Sequence, residues 1–191
     1  MADEARLTIE YADHAPVTEL IDIITYCVEG VSLEFDRWDD PYVQGPGLYF
    51  VIVAGTSIAG YADSMGDNRW PIDACRQVDA DHDAFFEAAQ TVAIEHDGAV
   101  VVTVDGTIHE QMVRLKDLSP EDLAELDDIQ SVNYADWMGA RHMSAVDTSA
   151  RDEVVATITL SEEDGRVTVF QNGDYVDYQH ESLGGVWRGD E

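Results

Sequence analysis

Four short polar clusters in the sequence could do chemistry. The first is Glu95-His96-Asp97-Gly98-Ala99, between a helical pattern and an apolar run. His96 and Asp97 offer an imidazole and a carboxylate, a donor pair suited to a divalent ion. Gly98 and Ala99 leave room for the backbone to approach a ligand closely. The same residues also suit a plain helix-to-strand turn. The second cluster, Gly139-Ala140-Arg141-His142-Met143-Ser144-Ala145, combines a planar guanidinium, an imidazole and a small hydroxyl, which together match a triphosphate. It equally suits a helix with its Arg and His in solvent. The third, Ser161-Glu162-Glu163, closes a strand pattern with two carboxylates that could complete a metal site or simply be solvated. The fourth is Arg114 and Lys116, spaced to share one face of a strand.

The elements that must position these clusters follow from periodicity. Leu20, Ile23, Ile24, Cys27, Val28 and Val31 predict a helix over 18–35, after a short strand over 5–11. Residues 36–46 carry Pro41, Gly45 and Pro46 and read as a loop. The apolar run 47–53 predicts a strand buried on both faces. Residues 55–80 give no clear pattern. A helix is expected over 83–94, then strands 99–104 and 107–115 joined by Asp105-Gly106 as a hairpin. Ser119 followed by Pro120 signals a helix start, and a helix or helix pair should reach about residue 146. Strands 153–160, 166–171 and 174–178 follow, with turns at Glu163-Asp164-Gly165 and Asn172-Gly173. The sum is an α/β fold: a central twisted mixed β-sheet of about six strands flanked by helices, with residues 1–191 as a single domain.

Composition narrows the function. Forty acidic residues against ten basic ones give a net charge of −30, and Lys116 is the only lysine. The acids are spread along the whole chain, the pattern of a surface adapted to molar salt, where screening within roughly 3 Å removes self-repulsion. Such a surface argues against nucleic acid as a partner, since phosphate binding needs a basic face. No stretch is long and apolar enough for a membrane span, no leader pattern opens the chain, and Cys27 and Cys75 form no CxxC pair. The expectation is a cytoplasmic protein with packed, reduced thiols. Walker A, GxGxxG, HExxH and GxSxG motifs are absent.

Taken together, His-Asp-Gly-Ala opening a buried strand, Gly-Ala-Arg-His-x-Ser some forty residues later, and Ser-Glu-Glu closing a strand resemble the diadenylate cyclase family over about residues 18–178. The resemblance implies condensation of two ATP into cyclic di-AMP with release of two pyrophosphates. It implies Asp97, Arg141 and His142 as catalytic residues. It further implies Gly98, Ala99, Leu115, Arg141, His142 and Ser144 at ATP, and His96, Asp97 and Glu163 (or Glu162) at Mn²⁺ or Mg²⁺. Two features depart from the family pattern: Met143 stands where many members have a second arginine, and Met112 to Leu115 replaces a Leu-Pro-Leu type segment. Because two ATP must meet head to tail, the resemblance implies a face-to-face homodimer or a higher homo-oligomer. Two other readings use the same residues: a sensor that binds ATP or cyclic di-AMP without turnover, and a metal-dependent hydrolase using His96, Asp97 and His142.

Overall fold

The computed structural model describes residues 11–55, 58–125 and 132–185. Tyr11 opens a 3₁₀ turn, and the rest of the strand expected over 5–11 lies outside the described residues. Helix α1 (Ala15–Glu34) begins with proline in its first turn and buries Leu20, Ile24, Cys27, Val28 and Val31 along one stripe. Strand β1 (Leu48–Val53) is buried at all six positions, as its continuous apolar run requires. Strand β2 (Ala62–Arg69) lies in the segment that gave no sequence pattern. Helix α2 (His82–Glu95) starts at Asp81, whose side chain accepts from the Ala84 N–H at 3.0 Å. It leads into β3 (Val100–Thr103).

Strand β4 (Gln111–Leu115) and helix α3 (Pro120–Glu125) follow. Ser119 and Asp122 hydrogen-bond each other's backbone N–H across the start of α3, as the Ser-Pro signal predicts. Helix α4 (Ala140–Ser149) precedes the antiparallel run β5 (Val154–Leu160), β6 (Val167–Gln171) and β7 (Asp174–Tyr178). Asn172 and Gly173, at φ 52° and 76°, form the tight turn between the last two.

Five strands make the main sheet, in the order β3-β1-β5-β6-β7, and β2 pairs with β4 in a separate two-stranded sheet. Only β1 and β3 are parallel, joined through α2; the other pairs run antiparallel. Alternation along β1 divides the core in two. Leu48, Phe50 and Ile52 face α1 and α2, and Tyr49, Val51 and Val53 face the side of α4 and β4.

The hairpin expected from 99–115 forms with irregular pairing. The Asp105-Gly106 turn forms, and Val102 bridges Ile108. Beyond His109 the pairing is interrupted and resumes where Val113 bridges Ala99, while β4 also pairs with β2 along its length. The β2 pairing is anchored by Trp70, which is fully buried: its backbone N–H donates to the Glu110 carbonyl at 2.8 Å and its indole to the Cys75 carbonyl at 2.7 Å. That anchor draws β2 alongside β4. Cys27 and Cys75 are free and buried.

Phe50 lies in the centre of the first core, with ring centroids 5.9 Å from Trp70 and 5.8 Å from Phe85. Phe50→Ala is expected to cost about 3–5 kcal/mol, read as a lowered denaturation midpoint in molar KCl.

Candidate functional site

The chain leaving α2 is the first wall of the site. His96 is extended at the helix C-terminus (φ −126°, ψ 155°), and Asp97 follows it into solvent with 76% of its side chain exposed. The Asp97 backbone N–H donates to Asn68 Oδ1 at 3.1 Å, and its own Oδ1 accepts from the Gly98 N–H at 2.8 Å. Gly98 has φ 108°, a conformation open to glycine, and a Cβ there would lie 2.9 Å from Met65 and 3.1 Å from the Val113 carbonyl. Its absence lets Ala99 exchange two backbone hydrogen bonds with Val113, at 2.7 and 3.0 Å. The Asp-Gly-Ala sequence therefore joins the two sheets and leaves the Asp97 carboxylate accessible.

The second wall is the start of α4. Gly139 caps the helix without a side-chain bond, so the first-turn N–H groups stay available to an anion. Arg141 Nη2 sits 3.1 Å from Glu162 Oε2 and 4.0 Å from Asp97 Oδ1, and Nη1 donates to the Leu160 carbonyl at 3.4 Å. Three segments far apart in sequence thus meet at one guanidinium.

The other expected site residues lie around this centre. Ala99 and Leu115 are buried in the second core, Leu115 at the β4 end paired with Ala62. Ser144 is half-buried, its Oγ 3.5 Å from the hydroxyl of Tyr49, which donates to Thr148 Oγ1 at 3.2 Å. Arg141, Ser144 and Thr148 occupy one face of α4.

His142 is turned away from Arg141 and only 7% exposed. Its ring stands edge-on to Trp137 at 5.0 Å and lies 6.4 Å from Phe170, and its Nε2 meets no partner. Burial pulls its pKa from the ordinary 6.5 down to about 4, so the ring is neutral at pH 7.

The proposed metal set does not converge. Among the described residues no three His, Cys, Asp or Glu side chains group to hold an ion. Glu163 is exposed, and it is Glu162 that reaches Arg141. Both glutamates lie in the turn that follows β5, closed by the Gly165 N–H donating to the Ser161 carbonyl at 3.1 Å, and that turn directs Glu162 toward α4 and leaves Glu163 in solvent. The donors present do not make a resident metal cage.

Tyr49 and Asn68 carry no chemical signature in the sequence, Tyr49 being one letter of an apolar run and Asn68 lying in an unpatterned segment. Arg114 lies on β4 and Lys116 immediately follows it, with Lys116 Nζ 3.3 Å from Asp63. No helix among the described residues is long and apolar enough to cross a membrane.

Comparison with known proteins bears on this arrangement. The family model described as DisA bacterial checkpoint controller nucleotide-binding matches residues 72–175, just over half of the 191-residue chain. No curated protein matches. Solved structures share the fold, two of them as follows. A hypothetical membrane spanning protein from Bacillus cereus superposes with a TM-score of 0.55 at 18% identity, covering 84% of this chain. The matched part is 64% of that protein's length. A double cysteine mutant of DacA from Staphylococcus aureus superposes with a TM-score of 0.52 at 19% identity, covering 88% of this chain and 93% of its own.

The sealed ring of His142 makes stability pH-dependent. Between its ordinary pKa of 6.5 and about 4 the unfolded chain takes up a proton that the folded chain refuses, so stability falls as pH drops through that window. The charged groups acting on the ring are Asp164, Arg141, Arg166 and Asp177. His142→Phe is expected to lose less stability than the parent between about pH 7 and about pH 5 in chemical denaturation. Equal losses would contradict the sealed ring.

Proposed function

The chain belongs to the DisA-type nucleotide-binding family, and on that premise we propose that it is a diadenylate cyclase, joining two ATP into cyclic di-AMP. The observation that carries this reading is the convergence of Asp97, Arg141 and Glu162 at the uncapped start of α4. An exposed carboxylate beside a guanidinium and free helix N–H groups suits attack on a phosphate ester.

In this proposal the 3′-hydroxyl oxygen of each ATP forms a bond to the α-phosphorus of the other. The bond from that phosphorus to the pyrophosphate oxygen breaks, and two pyrophosphates leave. Asp97 orients the hydroxyl and accepts its proton. Arg141 and the first-turn N–H groups of α4 bind phosphate oxygens and oppose the charge that builds on the leaving group. Ser144 shares the Arg141 face of α4 and extends that donor row. Gly98 and Ala99 let the nucleotide approach the backbone, and Leu115 closes the apolar floor on the base side. His142 braces α4 from beneath as a neutral ring; a direct phosphate contact from it requires the ring to leave its aromatic bed.

Mn²⁺ or Mg²⁺, when bound, would supply neutralisation of phosphate charge and a lower pKa for the attacking hydroxyl. Asp97 is the carboxylate proposed to meet it, with His96 and Glu163 or Glu162 as further donors. Since each reaction uses the hydroxyl of one nucleotide and the phosphate of another, two protomers face each other about a two-fold axis.

The test is incubation of the purified protein in molar KCl with ATP and Mn²⁺ or Mg²⁺, with products resolved by mass. Cyclic di-AMP and pyrophosphate are expected, falling at least about 100-fold in Asp97→Asn. ATP bound but unchanged with either metal would replace the cyclase by a sensor of ATP or cyclic di-AMP; AMP or ADP as product would indicate a hydrolase.

Charge adds a second expectation. Bringing two chains of −30 and two nucleotides together is favoured by screening, so turnover should rise between about 0.1 M and about 2 M KCl. A maximum at the low end would exclude adaptation to molar salt.

A further inference from the structure

We propose that Gly47 is a positioning residue for Arg141, setting the guanidinium against Asp97 from the entrance of β1. The inference deepens the cyclase reading and rests on it for its catalytic consequence. Gly47 immediately precedes β1, and its φ is not in the left-handed region, so the course of the backbone does not require glycine there. The guanidinium does. A Cβ on residue 47 would lie 2.6 Å from Arg141 Nη1 and 3.0 Å from Glu162 Oε2. The first distance is shorter than real Cβ contacts, so Arg141 would have to move.

The same short segment touches all three parts of the site. The Gly47 N–H donates to the Ala93 carbonyl at 2.9 Å, in the last turn of α2, four residues before Asp97. The Gly45 N–H donates to the Glu162 carbonyl at 3.0 Å. Trp38 secures the segment: its indole N–H donates to the Ser32 carbonyl at 3.1 Å, and its ring fills the space a side chain at Gly45 would need. Arg141 therefore rests on a bed made by Gly47 below, Glu162 Oε2 at 3.1 Å and the Leu160 carbonyl at 3.4 Å. One edge of its fork remains toward Asp97 at 4.0 Å. A methyl group at residue 47 disturbs that bed without removing any charge.

The experiment is a double-mutant cycle between Gly47→Ala and Arg141→Lys, read as ATP Kd and kcat in molar KCl. Gly47→Ala is expected to weaken ATP binding or slow turnover by about 10- to 100-fold, with a Tm close to the parent because the displaced atoms end a flexible side chain. In the Arg141→Lys background, which has no Nη1 to strike, the same change is expected to do far less. Equal effects in both backgrounds, or no effect in the parent, would overturn the proposal. Should Gly47→Ala not fold, the collision account requires Arg141→Lys to restore folding; a double variant that also fails overturns it. A readout independent of ATP is the Arg141 Nε–Hε NMR resonance, assigned by its loss in Arg141→Lys. It is expected to shift in Gly47→Ala, and an unshifted resonance overturns the positioning role whatever ATP does. If the parent protein neither binds nor converts ATP, the cyclase reading fails while the resonance still decides the role of Gly47.

Discussion

The arrangement depends on β1 being buried on both faces. Six consecutive apolar residues cannot face water, so helices must cover the sheet on both sides. Residues Leu48, Phe50 and Ile52 pack toward α1 and α2, while Tyr49, Val51 and Val53 pack toward α4 and β4. With β3 parallel on one side of β1 and β5 antiparallel on the other, three elements are fixed at its ends. The turn into β3 carries Asp97, the far end of β5 leads to Glu162, and α4 lies across β5 with Arg141 at its start. The candidate site is a consequence of where those ends fall. It uses loop and terminal residues, where backbone groups are free, and leaves the strands to supply rigidity.

Within that frame, electrostatics and desolvation select different roles for neighbouring residues of α4. Arg141 keeps its charge near the surface and pairs with a carboxylate on each side. His142, one residue on, projects into an aromatic enclosure of Trp137 and Phe170 and is neutral there. Arg166 stacks over the outer side of Trp137, with Cζ 4.2 Å from the ring centroid, and its Nη1 bonds Asp177 at 2.6 Å. The enclosure is thus held from outside by a cation and floored by apolar rings. Deeper in the same helix, Asp147 is buried yet accepts from the Tyr134 hydroxyl and the Leu118 N–H, which ties the chain on either side of α3 to α4. The helix that carries Arg141 is therefore fixed along its length, and the orientation of the guanidinium follows from its immediate bed.

Most of the fold was legible in the sequence because burial writes periodicity. The stripe of α1, the run of β1, the Asp-Gly and Asn-Gly turns and the three C-terminal strands all stand where apolar spacing and turn chemistry indicate. Strand β2 was not, and the reason is physical. Its residues Ala62–Arg69 are polar and largely exposed, so no alternation marks them, and their pairing with β4 is dictated by Trp70 at a distance. In the site, the Asp-Gly-Ala and Arg-His clusters were visible because their residue types are scarce in combination. The choice between Glu162 and Glu163 was not, since it depends on the conformation of the turn after β5. Nor was Gly47, whose role appears only when a guanidinium from residue 141 is found where its side chain would be.

The acidity of the chain gives the few cations disproportionate importance. Arg37, Arg69, Lys116, Arg141, Arg151 and Arg166 each lie within 4.0 Å of a carboxylate. Those of Arg37, Arg69 and Lys116 are exposed and contribute little individually to stability, while the Arg141, Arg151 and Arg166 side chains are largely covered. Their number cannot offset forty acids, so the surplus charge remains on the surface, where only mobile ions can screen it. Arg141 differs from the others in position more than in chemistry. Its side chain, 25% exposed, lies between carboxylates of two separate segments at the start of α4, beside the solvent-open Asp97. A polyanionic ligand arriving there exchanges one set of negative partners for another. With one cation against two carboxylates the site is itself net negative, so a polyanionic ligand meets local as well as long-range repulsion that mobile ions must screen.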